Sequence, residues 1–162
     1  KRQKSLIPQY FEFPFIAKIA RGSAMGRGVY FIRNQKELGN YFELTSPAYI
    51  QEYLPIDRDI RVVVIGNRVV HAYWRVAPQN EYRSNVAVGG TIDLDGVPEK
   101  ACNLALRIAR ACRWDDVGID ICEHNGQFYI LKAHMKYGRE GFRKAGLDYD
   151  RLMESMIENE EI

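Results

Sequence analysis

Phe13-Pro14-Phe15-Ile16-Ala17-Lys18 is followed closely by Arg21-Gly22-Ser23-Ala24-Met25-Gly26-Arg27-Gly28 and then by Val29-Tyr30-Phe31-Ile32. An apolar run, a glycine-rich stretch and a second apolar run in this order read as strand, flexible loop, strand. The glycines permit positive φ and let backbone amides approach an anion closely, while Lys18, Arg21 and Arg27 supply charge beside those amides. The P-loop and the dinucleotide fingerprint both run from a strand into a helix. A strand-like segment follows here, so neither motif is present. Read alone, the loop is either a phosphate cradle or a plain flexible hairpin.

The 162 residues, 46% hydrophobic and 27% charged, fit one compact domain with room for two lobes. A formal net charge of +2 without a run of like charges does not point to nucleic acid. Cys102, Cys112 and Cys122 are odd in number, lack CxxC spacing and fall in apolar patterns, which argues for reduced thiols and a cytoplasmic setting rather than a zinc site. No stretch has the length of a membrane span and no signal peptide is recognisable. The chain starts Lys1-Arg2-Gln3-Lys4 without Met, and the expectation is a fragment lacking an upstream domain.

Asn34 can cap a short helix from Gln35 to Glu43, with Glu37 three residues after the cap. Tyr49-Ile50-Gln51-Glu52-Tyr53-Leu54 reads as a strand and Pro55-Ile56-Asp57 as a hinge. Residues 1–54 thus make a small lobe with the glycine-rich loop, and 55–162 a second one. In Asp59-Ile60-Arg61-Val62-Val63-Val64-Ile65, Asp59 and Arg61 share one face, while Ile60, Val62 and Val64 share the other. Gly66-Asn67 is a tight-turn signal. The return run to Val76 places Val69, His71, Tyr73 and Arg75 on one face and Val70, Ala72, Trp74 and Val76 on the other. The polar stretch from Ala77 to Gly90, with Tyr82-Arg83-Ser84-Asn85 before Gly89-Gly90, reads as a substrate-facing loop.

Pro98 opens a helix to about Arg113 with an apolar stripe of Ala101, Leu104, Ala105, Ile108, Ala109 and Cys112. Val117-Gly118-Ile119-Asp120-Ile121-Cys122 and Gln127 to Ala133 flank Asn125-Gly126 as a hairpin, and Asp148 caps a terminal helix to about Asn159. Asp120 among apolar neighbours requires a cation or metal partner. Lys132 and His134 project from one face of their strand. Asp120 shares it only if the hairpin connection holds an odd number of residues, since a two-residue turn would put Asp120 and Lys132 on opposite faces. Lys18 within an apolar strand likewise requires an anion or a shifted pKa. Arg61 and Arg83 could instead pair with Asp59 and Glu81 at the surface. His71, His124, Met25 and Trp74 read as packing or surface residues.

Taken in order, Phe15 to Lys18, the glycine loop, Gln51-Glu52-Tyr53-Leu54, Asp59-Ile60-Arg61-Val62, Tyr82-Arg83-Ser84-Asn85, Gly89-Gly90 and Val117-Gly118-Ile119-Asp120 resemble the ATP-grasp superfamily. Within it they are similar to the branch of ribosomal-protein glutamate ligases, over about residues 12 to 150. The resemblance implies an α+β ATP-grasp fold, two lobes with mainly antiparallel sheets gripping ATP between them. It implies that Arg21, Gly22, Ser23, Gly26, Arg27 and Gly28 cover the phosphates and that Lys18 contacts them near the adenine end. Glu52 would face adenine or its surroundings, Tyr53 and Leu54 would offer backbone groups to the base edge, and Gln51 and Asp59 would belong to the same nucleotide-binding set. Arg61, Arg75 and Arg83 would face phosphate or acyl phosphate, and Asn85 and Asp120 would contact metal or phosphate.

The implied reaction is carboxylate–amine ligation through an acyl phosphate, with ATP and Mg²⁺, on an unidentified carboxylate and amine that include amino acids and peptides as candidates. Neither membrane nor nucleic acid is an expected partner. One departure from the family is decisive: the last hairpin strand of that family carries a metal-binding Glu and Asn where this chain has Lys132 and His134. An ammonium about 4 Å from Mg²⁺ would repel it by roughly 8 kcal/mol at an effective dielectric near 20. Three explanations stay open: Lys132 replaces a metal as a counter-charge to phosphate, the domain binds nucleotide without catalysis, or these residues lie outside the site.

Overall fold

The computed structural model describes residues 6–22, 27–79 and 89–162, and the chain divides into two units, Lys1–Pro55 and Ile56–Ile162. The first unit opens on a short helix, α1 (Ile7–Tyr10), with Pro8 in its first turn, an element too short for periodicity to reveal. Strands β1 (Phe15–Ile19), β2 (Val29–Ile32) and β3 (Ala48–Glu52) form an antiparallel sheet in the order β2-β1-β3. Alternation along β1 turns Phe15 and Ala17 into a core with Ile32, Leu38 and Tyr41, and leaves Ile16 and Lys18 on the other face. Helix α2 (Gln35–Leu44) covers the core side. Its cap works in two parts: Asn34 Oδ1 accepts from the Glu37 amide at 3.0 Å, and Glu37 Oε2 accepts from the Arg33 amide at 2.8 Å. The buried Tyr41 hydroxyl donates to the Lys18 carbonyl at 2.6 Å and accepts from the Tyr49 amide at 3.0 Å, so the helix ties β1 to β3.

In the second unit, β4 (Arg58–Ile65), β5 (Arg68–Val76), β6 (Thr91–Asp93), β7 (Asp116–His124) and β8 (Gln127–His134) form one antiparallel sheet in the order β6-β5-β4-β7-β8. The central strand β4 is buried from Asp59 to Ile65. On one face, Ile60, Val62, Val64, Trp74, Val117, Ile119 and Ile121 pack against helix α3 (Glu99–Cys112) through Ala101, Ala105 and Ala109. The spacing of four keeps small side chains on one line, so the helix lies close to the sheet. Cys112 is exposed rather than part of that stripe, because the next residue, Arg113, ends the helix in the left-handed conformation at φ 55°. On the opposite face, helices α4 (Glu140–Lys144) and α5 (Tyr149–Glu158) bring Phe142 and Met156 onto Val63 and Ile65. Asp148 caps α5, its Oδ1 accepting from the Asp150 and Arg151 amides at 3.0 and 3.2 Å. The three-residue β6 and the five-residue α4 have no counterpart in the sequence reading; both are shorter than a recognisable period.

Two β-bulges correct the faces expected from strict alternation. Between β4 and β5, Val64 pairs with Val69 but Val63 pairs with His71, so Val70 is the extra residue. Val69 therefore joins the α3 side and Val70 packs on the α4–α5 side, the reverse of the alternating assignment. Between β7 and β8, Ile121 pairs with Ile130 but Asp120 pairs with Lys132, leaving Leu131 as the extra residue. The turn itself has two residues, Asn125 at φ 52° and Gly126 at φ 74°, as hairpins favour. The bulge supplies the odd residue that brings Asp120 and Lys132 to one face.

Gly141 approaches the ring of Tyr73 so closely that a β-carbon there would overlap it, whereas Gly39 in α2 has open space around its α-carbon. Gly141→Ala should therefore destabilise the fold by about 1–3 kcal/mol, while Gly39→Ala should stabilise it by about 0.5–1 kcal/mol; urea denaturation of the two variants checks both signs. Asn34→Ala, which removes the α2 cap, should cost about 1 kcal/mol in the same measurement.

Candidate functional site

The bulges align charged residues on one face of the second sheet. Arg61 pairs in register with Tyr73 on β5 and with Asp120 on β7, and Asp120 pairs with Lys132 on β8. Tyr73, Arg61, Asp120 and Lys132 thus form a row across four strands. In the next row, His71, Val63, Gly118 and His134 are in register. Arg75 and Asp59 pair on the other side of the first row.

Asp59, Arg61, Arg75 and Asp120 are at most 5% exposed, Asp120 completely buried. Arg75 grips Asp59 through two parallel hydrogen bonds, Nε to Oδ1 at 2.9 Å and Nη2 to Oδ2 at 2.5 Å. Arg61 Nε donates to Asp120 Oδ1 at 2.5 Å. Asp120 Oδ2 has Arg75 Nη2 at 2.8 Å, Lys132 Nζ at 3.6 Å and His134 Nε2 at 3.7 Å, contacts that do not have hydrogen-bond geometry. The surface pairing of Asp59 with Arg61 is thereby corrected: Asp59 belongs to Arg75, directly opposite across the ladder, and Arg61 reaches the other way to Asp120.

Burial alone would raise the Asp120 pKa, but the neighbouring His134 and the charges of Arg75 and Arg61 outweigh it and hold the carboxyl well below the usual range. Burial would lower the Arg75 pKa, and the Asp59 and Asp120 carboxylates override that to keep the guanidinium charged. Burial raises Tyr73 and lowers His71, so both stay neutral near pH 7. His71 lies against the rings of Tyr73 and Phe142, at 5.1 and 4.9 Å between centroids, in keeping with a packing role. Tyr73 is the residue of the row absent from the sequence-derived set; its signal was the ladder register, which bulged strands hide.

One edge of the charged face is walled by aromatic packing. The Tyr137 ring lies over Gly118, where a β-carbon would come within 2.9 Å of it. Its hydroxyl donates to Asp116 Oδ1 at 2.5 Å while that of Tyr149 donates to Asp116 Oδ2 at 2.9 Å.

In the first unit, Lys18 is half-buried and its Nζ donates to Gln51 Oε1 at 2.5 Å, with the Tyr49 ring 5.6 Å away. Lys18 and Gln51 share a face, since Ile16 pairs with Gln51 and Lys18 with Tyr49. Glu52 pairs with Phe15 and so alternates to the other side, exposed at the strand end. Tyr53 meets Phe31 edge-on at 4.7 Å, and Leu54 is half-buried. Arg21, Gly22 and Arg27 are exposed, Gly22 and Gly28 have φ of 70° and 68°, and the Ile19 amide donates to the Gly28 carbonyl at 2.8 Å. Ser23, Met25, Gly26, Arg83, Asn85 and most of the Ala77 to Gly90 stretch lie outside the described residues.

The residues around Asp120 do not fit Mg²⁺. Its Oδ2 is already ion-paired with Arg75 and faces two further nitrogen groups, and Asp59 is engaged by the Arg75 fork. Among the described residues no three His, Cys, Asp or Glu side chains come together as metal ligands. Magnesium requires oxygen ligands in near-octahedral geometry, whereas Lys132 offers an ammonium. Chemically, the described residues of this face are an array of cations, Arg61, Arg75 and Lys132, paired with the carboxylates of Asp59 and Asp120, one positive charge in excess with His134 left aside.

Among the described residues no helix is long and apolar enough to cross a membrane. The sequence is 32% identical to a probable alpha-L-glutamate ligase of Parasynechococcus marenigrum, over 96% of this chain and 34% of that protein. It is 30% identical to beta-citrylglutamate synthase B of Danio rerio, over 90% of this chain and 37% of that one. The chain spans between about a third and half of the length of the curated relatives it matches. Among solved structures, the ATP-grasp ligase PsnB, complexed with a precursor peptide and AMPPNP, superposes with a TM-score of 0.69 at 21% identity, covering 96% of this chain and 49% of that one. The fold is thus the α+β ATP-grasp fold, and with residues 1–157 matching the RimK-like ATP-grasp domain, the chain belongs to that family.

Proposed function

We propose that this chain binds ATP and acts in ATP-dependent carboxylate–amine ligation through an acyl phosphate, in the cytoplasm. The observation that carries this reading is the pair of buried guanidiniums, Arg61 and Arg75, held in place by Asp120 and Asp59 before any ligand arrives. Phosphoryl transfer spreads negative charge over nonbridging oxygens, and cations already oriented in a water-poor site stabilise that charge without reorganising. In the reaction a carboxylate oxygen attacks the γ-phosphorus, the bond to the bridging oxygen breaks, and ADP departs with the electron pair. The amine nitrogen then attacks the acyl carbon, the carbon–oxygen bond to phosphate breaks, phosphate leaves with that pair, and the amine proton passes to solvent. Arg61 and Arg75, with Arg83, serve as the electrostatic partners of the transferred group. Lys18 and the glycine-rich loop hold the nucleotide phosphates, and the segment Gln51 to Leu54 receives the base.

The two relatives named above are called a probable alpha-L-glutamate ligase and a beta-citrylglutamate synthase, which supports glutamate as the first amine to test and an amino acid or peptide as the carboxylate. A second reading, a nucleotide-binding module without catalysis, is favoured by one specific observation: Lys132 stands 3.6 Å from Asp120, at the position where the resemblance to ATP-grasp ligases implies a metal-binding Glu.

Phosphate release from ATP, measured with glutamate and a panel of amino-acid and peptide acceptors, separates the two. Acceptor-dependent release supports the ligase, whereas ATP binding with silence across the panel leaves only the module. Lys18→Ala should weaken ATP binding by about 1.5–3 kcal/mol, one to two orders of magnitude in Kd by calorimetry, as expected for loss of a charge-assisted contact. An unchanged Kd would remove Lys18 from the nucleotide site.

A further inference from the structure

We propose that the face around Asp120 is a seat for anionic phosphate oxygens rather than for a divalent cation, so that the polyphosphate of a nucleotide binds this chain without a metal. The inference rests on the nucleotide reading above and concerns how that same face takes the phosphates. Three observations lead to it. The first is the charge count: among the described residues of this face, Arg61, Arg75 and Lys132 stand against Asp59 and Asp120, both already neutralised by guanidinium contacts. A carboxylate at position 132 would reverse the sign of the excess and call for a metal; an ammonium there calls for an anion.

The second observation concerns unused donors. Lys132 carries three N–H groups, and among the described residues its Nζ makes ion-pair contact with Asp120 but no hydrogen bond. Its side chain is 41% exposed, so those donors are open to a ligand. The third is rigidity. Arg61, Asp120 and Arg75 are locked by buried hydrogen bonds, and the Leu131 bulge fixes the backbone of Lys132 in register with Asp120. A cation in a fixed position supplies the neutralisation that a bound metal would otherwise bring, with little ordering left to do on binding.

The experiment is calorimetric titration of ATP and, separately, inorganic tripolyphosphate into the 162-residue chain, each in EDTA and in excess Mg²⁺, repeated on Lys132→Gln and on the Lys132→Glu, His134→Asn double variant. Lys132 makes only a half-exposed ion pair, so Lys132→Gln should melt close to the parent. The expected result is binding of both ligands in EDTA, with Kd moved less than about threefold by Mg²⁺, and a roughly tenfold weakening in Lys132→Gln. The double variant should lose binding in EDTA and recover it with Mg²⁺. Binding by the parent chain only when Mg²⁺ is present, or an unchanged Kd in Lys132→Gln, overturns the proposal while leaving the nucleotide reading intact. Tripolyphosphate binding in EDTA that depends on Lys132, without ATP binding, upholds the anion seat and overturns the nucleotide reading. Absence of binding by either ligand in every condition overturns both.

Discussion

A completely buried carboxylate in the middle of a β-sheet is the constraint on which the charged face depends. Asp120 sits on β7 between the central strand and the outer one, where an isolated ionised group would cost far more than the fold can offset. Arg61 and Arg75 meet it from two strands, and because Arg75 also forks onto Asp59, the four residues form a single network. Such a network contributes little net stability compared with a hydrocarbon core of the same volume, since desolvation offsets most of the attraction. What it does provide is position. Each member is fixed by the others, so their removal from water yields an oriented array of charge on an otherwise ordinary sheet.

The two faces of that sheet divide the work between them. Alternation sends Ile60, Val62 and Val64 against the alanines of α3, and the same alternation sends Asp59 and Arg61 to the opposite side. Along that opposite side, Val63 and Ile65 are covered by Phe142 and Met156, leaving the other end of β4 to the charges. A polar site is built here without sacrificing the core, because one strand serves an apolar layer on one face and is split lengthwise on the other. Tyr137 over Gly118 and the Gly141 contact with Tyr73 show how little tolerance the boundary has: both glycines lie where a β-carbon would displace an aromatic ring.

The resemblance to ATP-grasp ligases implies a metal-binding Glu and Asn at the positions that Lys132 and His134 occupy in this chain. Lys132 still projects beside Asp120, and the ladder that places it there is that of a common bulged hairpin. In the anion seat proposed above, sign decides which ligand gains: a carboxylate at position 132 would recruit a hard cation, whereas an ammonium beside an already neutralised aspartate would recruit an anion. Fold alone does not fix cofactor use.

Much of the architecture was legible in the chain itself. The period of two in Asp59 to Ile65 separates core from charge, Asn34 and Asp148 announce their helices through side-chain caps, and Asn125-Gly126 marks a two-residue turn, because each of these depends on interactions within a few residues. Lys18, Arg61, Arg75 and Asp120 could be singled out for the same reason: charge in an apolar run is a local contradiction. Their partners could not. That Asp59 takes Arg75 rather than Arg61, and that Asp120 and Lys132 face the same way despite an even turn, follow from bulges at Val70 and Leu131. A bulge adds one residue to one strand only, and it is settled by which side chains the two sheet faces can bury. Sequence determined the strands, the turns and the charged candidates; tertiary packing decided the register, and with it the set of charges that meet.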